Sequence, residues 1–441
     1  MANTPKTQAK PQVSFFVYKG DKKKAKPLTD DLGPSLISLE MQAMANGGYT
    51  VRGRFSDVNF NIYNRLIEND YFSDARMQPM KVQFKCKWSN QAKTPQSATT
   101  WIIGYIISME CMQPEMEDRN QIEFVIIDPP SWYLNVGDAS GKCYTGNVGQ
   151  VIRDVVTEYS PKDRLDLEIS TTIDSKQGKW WMMRQDPKSF LSSLFDWSAS
   201  ITPTKTQWVF APDNYSLVIK PQGLFTSEQR RYYSFHRNKT SDPIKQVTVL
   251  TDNALSSVQT KLITQGLSTI SGQYLDYQTS QQNVEVGDSN TTQKKTARVK
   301  KNRSFQKPEG GESVGYTSVM TVPEIGSAGD MGLPYKDYID GRPRSMFLNL
   351  INSLMRAKVT VIGDGEWTGC RGLGIDTIFL DWVRASRNGE EGKIADLRHW
   401  YTGSWLVYGY CHKITNKSWT TDLYCARYDQ NSESVKVPAK S

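Results

Sequence analysis

Histidine is almost missing from this chain, with three residues in 441: His236, His399 and His412. A zinc site needs three or four His, Cys or carboxylate ligands at compact spacing. The six cysteines (Cys86, Cys111, Cys143, Cys370, Cys411, Cys425) are scattered, and no CxxC occurs. No metal and no cofactor is therefore expected. The patterns GxSxG and HExxH are absent too, which removes the common hydrolase signatures. One glycine-rich stretch, GDGEWTGCRGLG (residues 363–374), lacks the GK[ST] ending of a phosphate loop and precedes a strand pattern, so it reads as tight turns. No apolar run approaches the roughly 20 residues of a membrane helix; the longest, WIIGYIISMECM (residues 101–112), has the length of a strand. No membrane insertion is expected. The opening MANTPKTQAKPQ has no apolar segment, which argues against a signal peptide and for reduced thiols in a protein made in a cytosol.

What is present is mostly β pattern. A chain this long needs several cores, and 38% hydrophobic with 11% aromatic residues can fill them. The net charge of +8, from 54 basic and 46 acidic residues, is too mild to indicate a histone-like role unless it is gathered on one face. MKVQFKCKW (residues 80–88) alternates strictly: Val82, Phe84, Cys86 and Trp88 share one face, Lys81, Gln83, Lys85 and Lys87 the other. VSFFVYKG, WIIGYIISMECM and QIEFVIIDPP read as further strands, the double proline closing the unit. The period then changes. Val148, Val151, Ile152, Val155, Val156 and Tyr159 form one helical stripe ending at Ser160-Pro161. A second helix starts at Asp186-Pro187 and turns Phe190, Leu191, Leu194 and Phe195 inward. With the strands TQWVFAP and YSLVIKP these make a small α/β domain. Strand patterns return after Phe225, fade into a polar stretch over about 272–340, and resume near the C-terminus. SMFLNLINSLMRAK (residues 345–358) predicts a third helix with Met346, Phe347, Leu350, Ile351, Leu354 and Met355 on its apolar side.

The two β-rich regions repeat each other. VQFKCKW, a polar loop, WIIGYIISM, a turn and QIEFVIIDP are matched by DTIFLDW, a polar loop, WLVYGYCHKI, a turn and SWTTDLYCARYD. In each, a strand ending in Trp (Trp88, Trp382) leads to one opening with Trp (Trp101, Trp405). A duplicated antiparallel barrel or sandwich with an α/β domain between the copies is the simplest architecture.

Gly403, Trp405, Val407, His412, Ile414, Trp419, Thr421, Leu423 and Arg427 follow the pattern GxWxVxxxxHxI…WxTxL…R. This resembles the C-terminal hairpin of bacteriophage tail baseplate hub proteins. RQDPKSFLSSLFDWS is similar to the helix of their middle domain. The resemblance covers domain order over most of the chain and motif-level detail over its last 30 or so residues; the 272–340 insertion departs from it. It implies a mainly β fold with α+β parts: a first tube-like β-barrel (1–130), a small α/β domain (131–224), a second tube-like barrel (225–271 and 341–430, with helix 345–358), a polar and basic, partly flexible insertion (272–340) and a flexible tail (431–441). It further implies a non-enzymatic virion protein, assembled in the host cytoplasm, whose homotrimeric ring joins the sixfold tail tube, or its initiator, to the threefold central spike. The same fold occurs in the spike protein of type VI secretion. The hollow centre would pass the tape-measure protein and then DNA without sequence readout.

Adjacent residues on a strand point to opposite faces, so Cys411 and His412 cannot chelate one ion or act as a nucleophilic pair, whereas Cys411 and Cys425 could face each other across the hairpin. Asp364 and Glu366, beside Trp367, are the best carboxylate pair for a tail-associated cell-wall-degrading enzyme. Lys294, Lys295, Arg298, Lys300, Lys301 and Arg303 form a basic cluster suited to a polyanion or an acidic partner. It lacks the interleaved aromatics of a single-strand binder, though nucleic-acid binding through it is the other alternative. In GSWLVYGYCHKITNKSW both strand faces are apolar or amphipathic. Trp405, Tyr408, Tyr410, His412 and Trp419 are therefore expected at an assembly interface, a pattern that a large intrachain contact would also give.

Overall fold

Period-two alternation of the kind seen in MKVQFKCKW produces most of this structure. The computed structural model describes residues 10–20, 26–68, 80–89, 100–113, 120–135, 141–160, 165–169, 178–182, 185–192, 194, 208–221, 229–236, 244–251, 269–276, 281–288, 317–321, 355–383 and 402–427. The first strands are β1 (Pro11–Lys19), β2 (Leu36–Met44), β3 (Gly48–Ser56), β4 (Met80–Trp88), β5 (Ile102–Met112) and β6 (Gln121–Ile127). A middle region holds β7 (Lys142–Gly146), β8 (Asp166–Ile169), β9 (Gly178–Met182), β10 (Trp208–Asp213) and β11 (Ser216–Pro221). After β12 (Gln229–His236) and β13 (Ile244–Thr251), a separate three-stranded sheet is made by β14 (Thr269–Asp276), β15 (Gln281–Asp288) and β16 (Thr317–Thr321). The chain ends with β17 (Met355–Ile362), β18 (Thr377–Val383), β19 (Gly403–Thr415) and β20 (Trp419–Arg427). The named helices are α1 (Asn61–Ile67), α2 (Pro129–Asn135) and α3 (Val148–Tyr159).

The mainly β fold is as expected, and the duplication is closer than the sequence shows. The first unit has the order β1-β4-β5-β6-β3-β2, and the second β12-β18-β19-β20-β17-β13. Taking each set in chain order, these are the same arrangement. The registers agree as well. Lys81 faces Tyr105 and Phe84 faces Ile102 where Thr377 faces Leu406 and Leu380 faces Gly403. Thr50 faces Ile127 where Arg356 faces Ala426. Bulges recur at matching places: Ile37 and Lys245 in β2 and β13, Ile107 and Tyr408 in β5 and β19. The departure is at one edge, where β1 pairs β4 antiparallel but β12 pairs β18 parallel. This register also corrects the tryptophan correspondence. Counting from the bulges, Ile106 matches Val407, so Trp405 stands where the first unit has Gly104, and Trp101 matches Thr402.

The units are not separate sheets. β2 pairs antiparallel with the C-terminal half of β19, from Ser38↔Thr415 to Met44↔Gly409, which makes one twelve-stranded sheet. One apolar core follows it from Phe15, Phe55, Phe84 and Phe124 to Trp405, Val407 and Trp419. Strict alternation on β4 buries Val82, Phe84 and Cys86 as expected; Lys81, from the polar face, is also buried, its Nζ 5.1 Å from the Tyr18 ring centroid.

A second core belongs to the middle region. α3 is capped by Asn147, whose side chain accepts from the Gln150 N–H at 2.7 Å, and buries Val148, Val151, Ile152, Val155 and Val156. Residues 187–192 are helical, with Asp186 accepting from the Ser189 N–H and hydroxyl and with Phe190 and Leu191 buried; Phe195 lies outside the described residues. The double proline follows the last strand of the first unit and also opens α2: Asp128 accepts from the Ser131 N–H at 2.7 Å, and proline suits the first turn because its missing N–H has no helical partner. This region is tied to both β units. Asn46 and Phe210 exchange hydrogen bonds, Lys188 donates to the Gly47 carbonyl, and the Cys370 N–H donates to the Pro212 carbonyl.

Two expectations about the C-terminal half change. Of the predicted helix 345–358, residues 345–354 lie outside the described residues, while 355–358 begin β17. There Ala357, Val359 and Val361 alternate inward and the backbone pairs with β13 and β20 on its two sides, which a helix cannot do. The stretch read as a polar insertion from 272 onward holds most of β14 and all of β15 and β16, whose apolar alternation is short (Ile270 and Tyr274, Val284 and Val286) and easily passed over.

Candidate functional site

The seam where β2 joins β19 is the place on which the fold turns. β19 spans 13 residues, and one of its edges is shared: Gly403–Leu406 pairs with β18 and Gly409–Thr415 with β2, while β20 takes the other edge. The bulge at Tyr408 separates the halves and reverses the alternation. Trp405 and Val407 face the core before it, and Tyr410 and Ile414 after it. That is why both faces of this strand look apolar in the sequence: a single core-facing row changes parity midway.

Below the seam lies a closed set of buried polar groups. The Asp364 N–H donates to the Thr421 hydroxyl (3.1 Å), which lies 2.8 Å from His412 Nδ1. His412 Nε2 is 2.6 Å from the Trp367 carbonyl. A carbonyl can only accept, so Nε2 carries the proton and Nδ1 accepts from the Thr421 hydroxyl and from Trp419 Nε1 (3.3 Å). The Trp367 indole N–H donates to the Tyr233 hydroxyl (2.9 Å), and that hydroxyl donates to Asp364 Oδ2 (2.8 Å), closing the circuit. Arg231 adds an ion pair to Asp364 Oδ1 at 2.9 Å and reaches Glu366 at 3.6 Å. The set ties β12, β19 and β20 to the turns of residues 363–374, so it acts as a polar clamp.

Burial drives the His412 pKa down to about 4, against smaller opposite effects of the Trp367 carbonyl and Asp364. The unfolded chain takes up this proton near pH 6.5, before the folded one does. Stability from this group is complete above pH 6.5 and falls as the pH drops to about 4, by on the order of 3 kcal/mol in all. In urea titrations across that interval, His412→Gln is expected to flatten the decline by about one proton's worth of slope; an unchanged slope would place the titrating group elsewhere.

The geometry does not arm a nucleophile here. Cys411 lies across the strand from His412, with its Sγ 3.4 Å from Glu40 Oε1, and burial followed by the Glu40 carboxylate pushes its thiol up to about 12. The reactive species is the thiolate, so this sulfur stays inert at neutral pH. Cys411 and Cys425 do not face each other: register sets Cys411 against Asp422 and Cys425 against Val407, and all six cysteines are free. Asp364 is buried and already accepts three hydrogen bonds, and Glu366 is half-buried beside it. Among the described residues no group of three His, Cys, Asp or Glu could hold a metal.

Of the residues expected at an assembly interface, Trp405, Tyr410, His412 and Trp419 are buried and Tyr408 is half-buried. Their packing is intrachain: Tyr410 donates to the Gly369 carbonyl at 2.9 Å, and Trp419 stacks on Trp88 with ring centroids 5.3 Å apart. His236 closes β12, and His399 and the cluster 294–303 lie outside the described residues. Sequence reading missed Arg231 and Tyr233. No local signal could have found them, because the partner that gives them a role, Asp364, is more than 130 positions away.

No family model matches this sequence, and no curated protein matches it. Solved structures do. A tail protein from Neisseria meningitidis MC58 matches with a TM-score of 0.52 at 9% identity, covering 94% of this chain and 97% of that one. The 43 kDa tail protein of prophage MuSo2 from Shewanella oneidensis matches with a TM-score of 0.50 at 10% identity, covering 95% and 99%. The chain has a phage tail-protein fold. The resemblance read from the C-terminal hairpin is thus borne out at the level of fold. A chain of the Francisella PdpA–VgrG complex in its half-lidded form shares this tail-protein fold, with a TM-score of 0.51 at 11% identity; 98% of the present chain spans 60% of that one. At such identities side-chain roles do not transfer, so the polar clamp stands on its own geometry.

Proposed function

We propose that this chain is the central hub of a phage tail baseplate, a structural protein whose homotrimeric ring joins the sixfold tail tube to the threefold spike. The register-for-register duplication of two six-stranded units carries the reading. Three chains with two similar units each offer six similar positions to a tube or tube-initiator protein. Each surface outside the duplication occurs three times and suits a threefold partner. The tail-protein fold supports the virion setting. The open centre of such a ring would pass the tape-measure protein and DNA without base readout. Asp364 and Glu366, held by one arginine, favour a scaffolding role for this carboxylate pair over glycan cleavage.

Native mass with negative-stain imaging tests this. Rings of three 50.0 kDa chains are expected; a monomer at every concentration, with the spike protein added, would overturn the hub reading. A peptidoglycan zymogram on the same preparation is expected to stay dark. Clearing that is lost in Glu366→Gln would instead establish the enzyme.

A further inference from the structure

The lysines of β4 stand on the face of the first unit that turns away from its core, and aromatic side chains flank them on both neighbouring strands. Register sets Ser14 opposite Lys85, Phe16 opposite Gln83 and Tyr18 opposite Lys81 on one side. On the other, Gln83 faces Ile103 and Lys81 faces Tyr105, which places Trp101 beside Lys85. One end of this face is closed. Lys81 and Tyr105 are buried, and the Tyr105 ring packs against Trp132 and Tyr133 of α2. The other end is open: Trp101 is 40% exposed, Lys87 is exposed, and Phe16 and Lys85 are half-buried. The backbone at Trp101 is fixed by Asn214, which donates to the Trp101 carbonyl at 3.1 Å and accepts from the Ile103 N–H at 2.8 Å. The Phe16 ring lies 6.0 Å from the Trp101 ring, tilted by 56°. None of the side chains set on this face by β1, β4 and the start of β5 is acidic. Asp31, at its margin beside Gln12 and Lys87, is turned to the Phe15 and Gly33 N–H groups at 2.8 and 2.9 Å.

The fold does not require this composition. At the positions of Lys81, Gln83, Lys85 and Lys87 the second unit carries Thr377, Phe379, Asp381 and Val383, and Thr402 stands in place of Trp101. We infer that the face is a binding site for single-stranded nucleic acid, with bases stacking on Trp101 and phosphates meeting Lys85 and Lys87. Amines that track a phosphate backbone beside an exposed ring that accepts a base are the combination such binders use. It is also the combination that the 294–303 cluster lacks. The uniform positive charge selects an anion, and the fixed indole selects one whose repeating units have flat faces. In a duplex each base is covered by its neighbours, so stacking on Trp101 selects an unpaired strand. Every base has such a face, so little sequence preference is expected. The site occurs once per chain, and it does not rest on the hub reading.

Fluorescence anisotropy of a short labelled oligothymidylate with the full-length protein tests this. Binding is expected that weakens between about 50 and 200 mM salt and for which a duplex of the same length competes poorly. A strand of abasic sugar phosphates, equal in charge, is expected to bind roughly tenfold more weakly because it offers nothing to stack. Trp101→Ala is expected to weaken oligothymidylate binding by roughly tenfold and to leave the abasic strand unchanged. Lys87→Gln is expected to weaken both strands and to lower the salt slope by about 0.7. Trp101→Phe, which keeps a stacking ring, is expected to retain most of the affinity and serves should Trp101→Ala disturb the fold. Absence of binding at low salt would overturn the site, as would equal affinity for the abasic strand or affinity indifferent to Trp101→Ala. Binding lost only when the six basic residues of 294–303 are changed to Gln would overturn it in favour of that cluster. Equal competition by polyglutamate or dextran sulfate would overturn it too, and would mark a contact for an acidic protein or an anionic polysaccharide instead. Native mass on the same preparations keeps the two readings apart: a trimer that binds no oligonucleotide sinks only the site, and a monomer that binds it sinks only the hub.

Discussion

Asp364→Ala is expected to destabilise the folded chain by roughly 3–5 kcal/mol, the usual cost of removing one partner from a buried ion pair. Asp364 accepts from Arg231 at 2.9 Å, from the Tyr233 hydroxyl at 2.8 Å and from the Glu366 N–H at 3.1 Å. Alanine leaves the buried Tyr233 hydroxyl without its acceptor and the guanidinium, whose side chain is 23% exposed, without its main counter-ion. Water can reach part of that guanidinium, which favours the lower end of the range. Tyr233→Phe is a milder cut, about 1–3 kcal/mol, because it strands one indole N–H and removes one donor from the carboxylate. Urea midpoints for the two variants rank them. Equal midpoints for Asp364→Ala and wild type would show that the clamp contributes nothing to stability.

The second large effect concerns the joint between the units. Trp419→Ala is expected to cost roughly 3–5 kcal/mol, as large-to-small changes at buried tryptophans do. Its ring lies against Gly363, which has no side chain with which to refill the space, and an added Cβ there would come within 2.1 Å of Trp419 Cγ. Trp88, from β4 of the first unit, stacks on Trp419 of the second and donates its indole N–H to the Gly363 carbonyl at 3.1 Å. Trp88 is only half-buried, so Trp88→Ala is expected to cost less. A double-mutant cycle is expected to give a coupling of roughly 0.5–1.5 kcal/mol, typical of an aromatic pair. Strict additivity would mean that the stack does not bind the units together.

The residues differ in how far their roles could be read from the chain alone. α3 was legible as a helix, because one apolar stripe and a terminating Ser160-Pro161 act locally; its Asn147 cap came only with the structure. β4 was legible for the same reason, each inward side chain being decided by its own parity. The hairpin β19–β20 was legible as a hairpin but not in its facing, since one bulge at Tyr408 exchanged the two faces beyond it. The helix predicted across 345–358 failed where β17 begins, because its apolar residues fit a helical period while two neighbouring strands, remote in sequence, supplied the backbone partners.

Local periodicity by itself determined that this protein is built mostly of strands with an α/β segment between two similar halves, and that common hydrolase and zinc-site signatures are missing. Tertiary structure alone decided that the halves form one sheet and that Asp364, Arg231, Tyr233, Trp367, Thr421 and His412 meet in a single clamp. Side-chain pattern records which way each residue faces. It does not record which distant strand will occupy the hydrogen bonds along an edge, because the backbone groups that make those bonds are the same in every residue but proline.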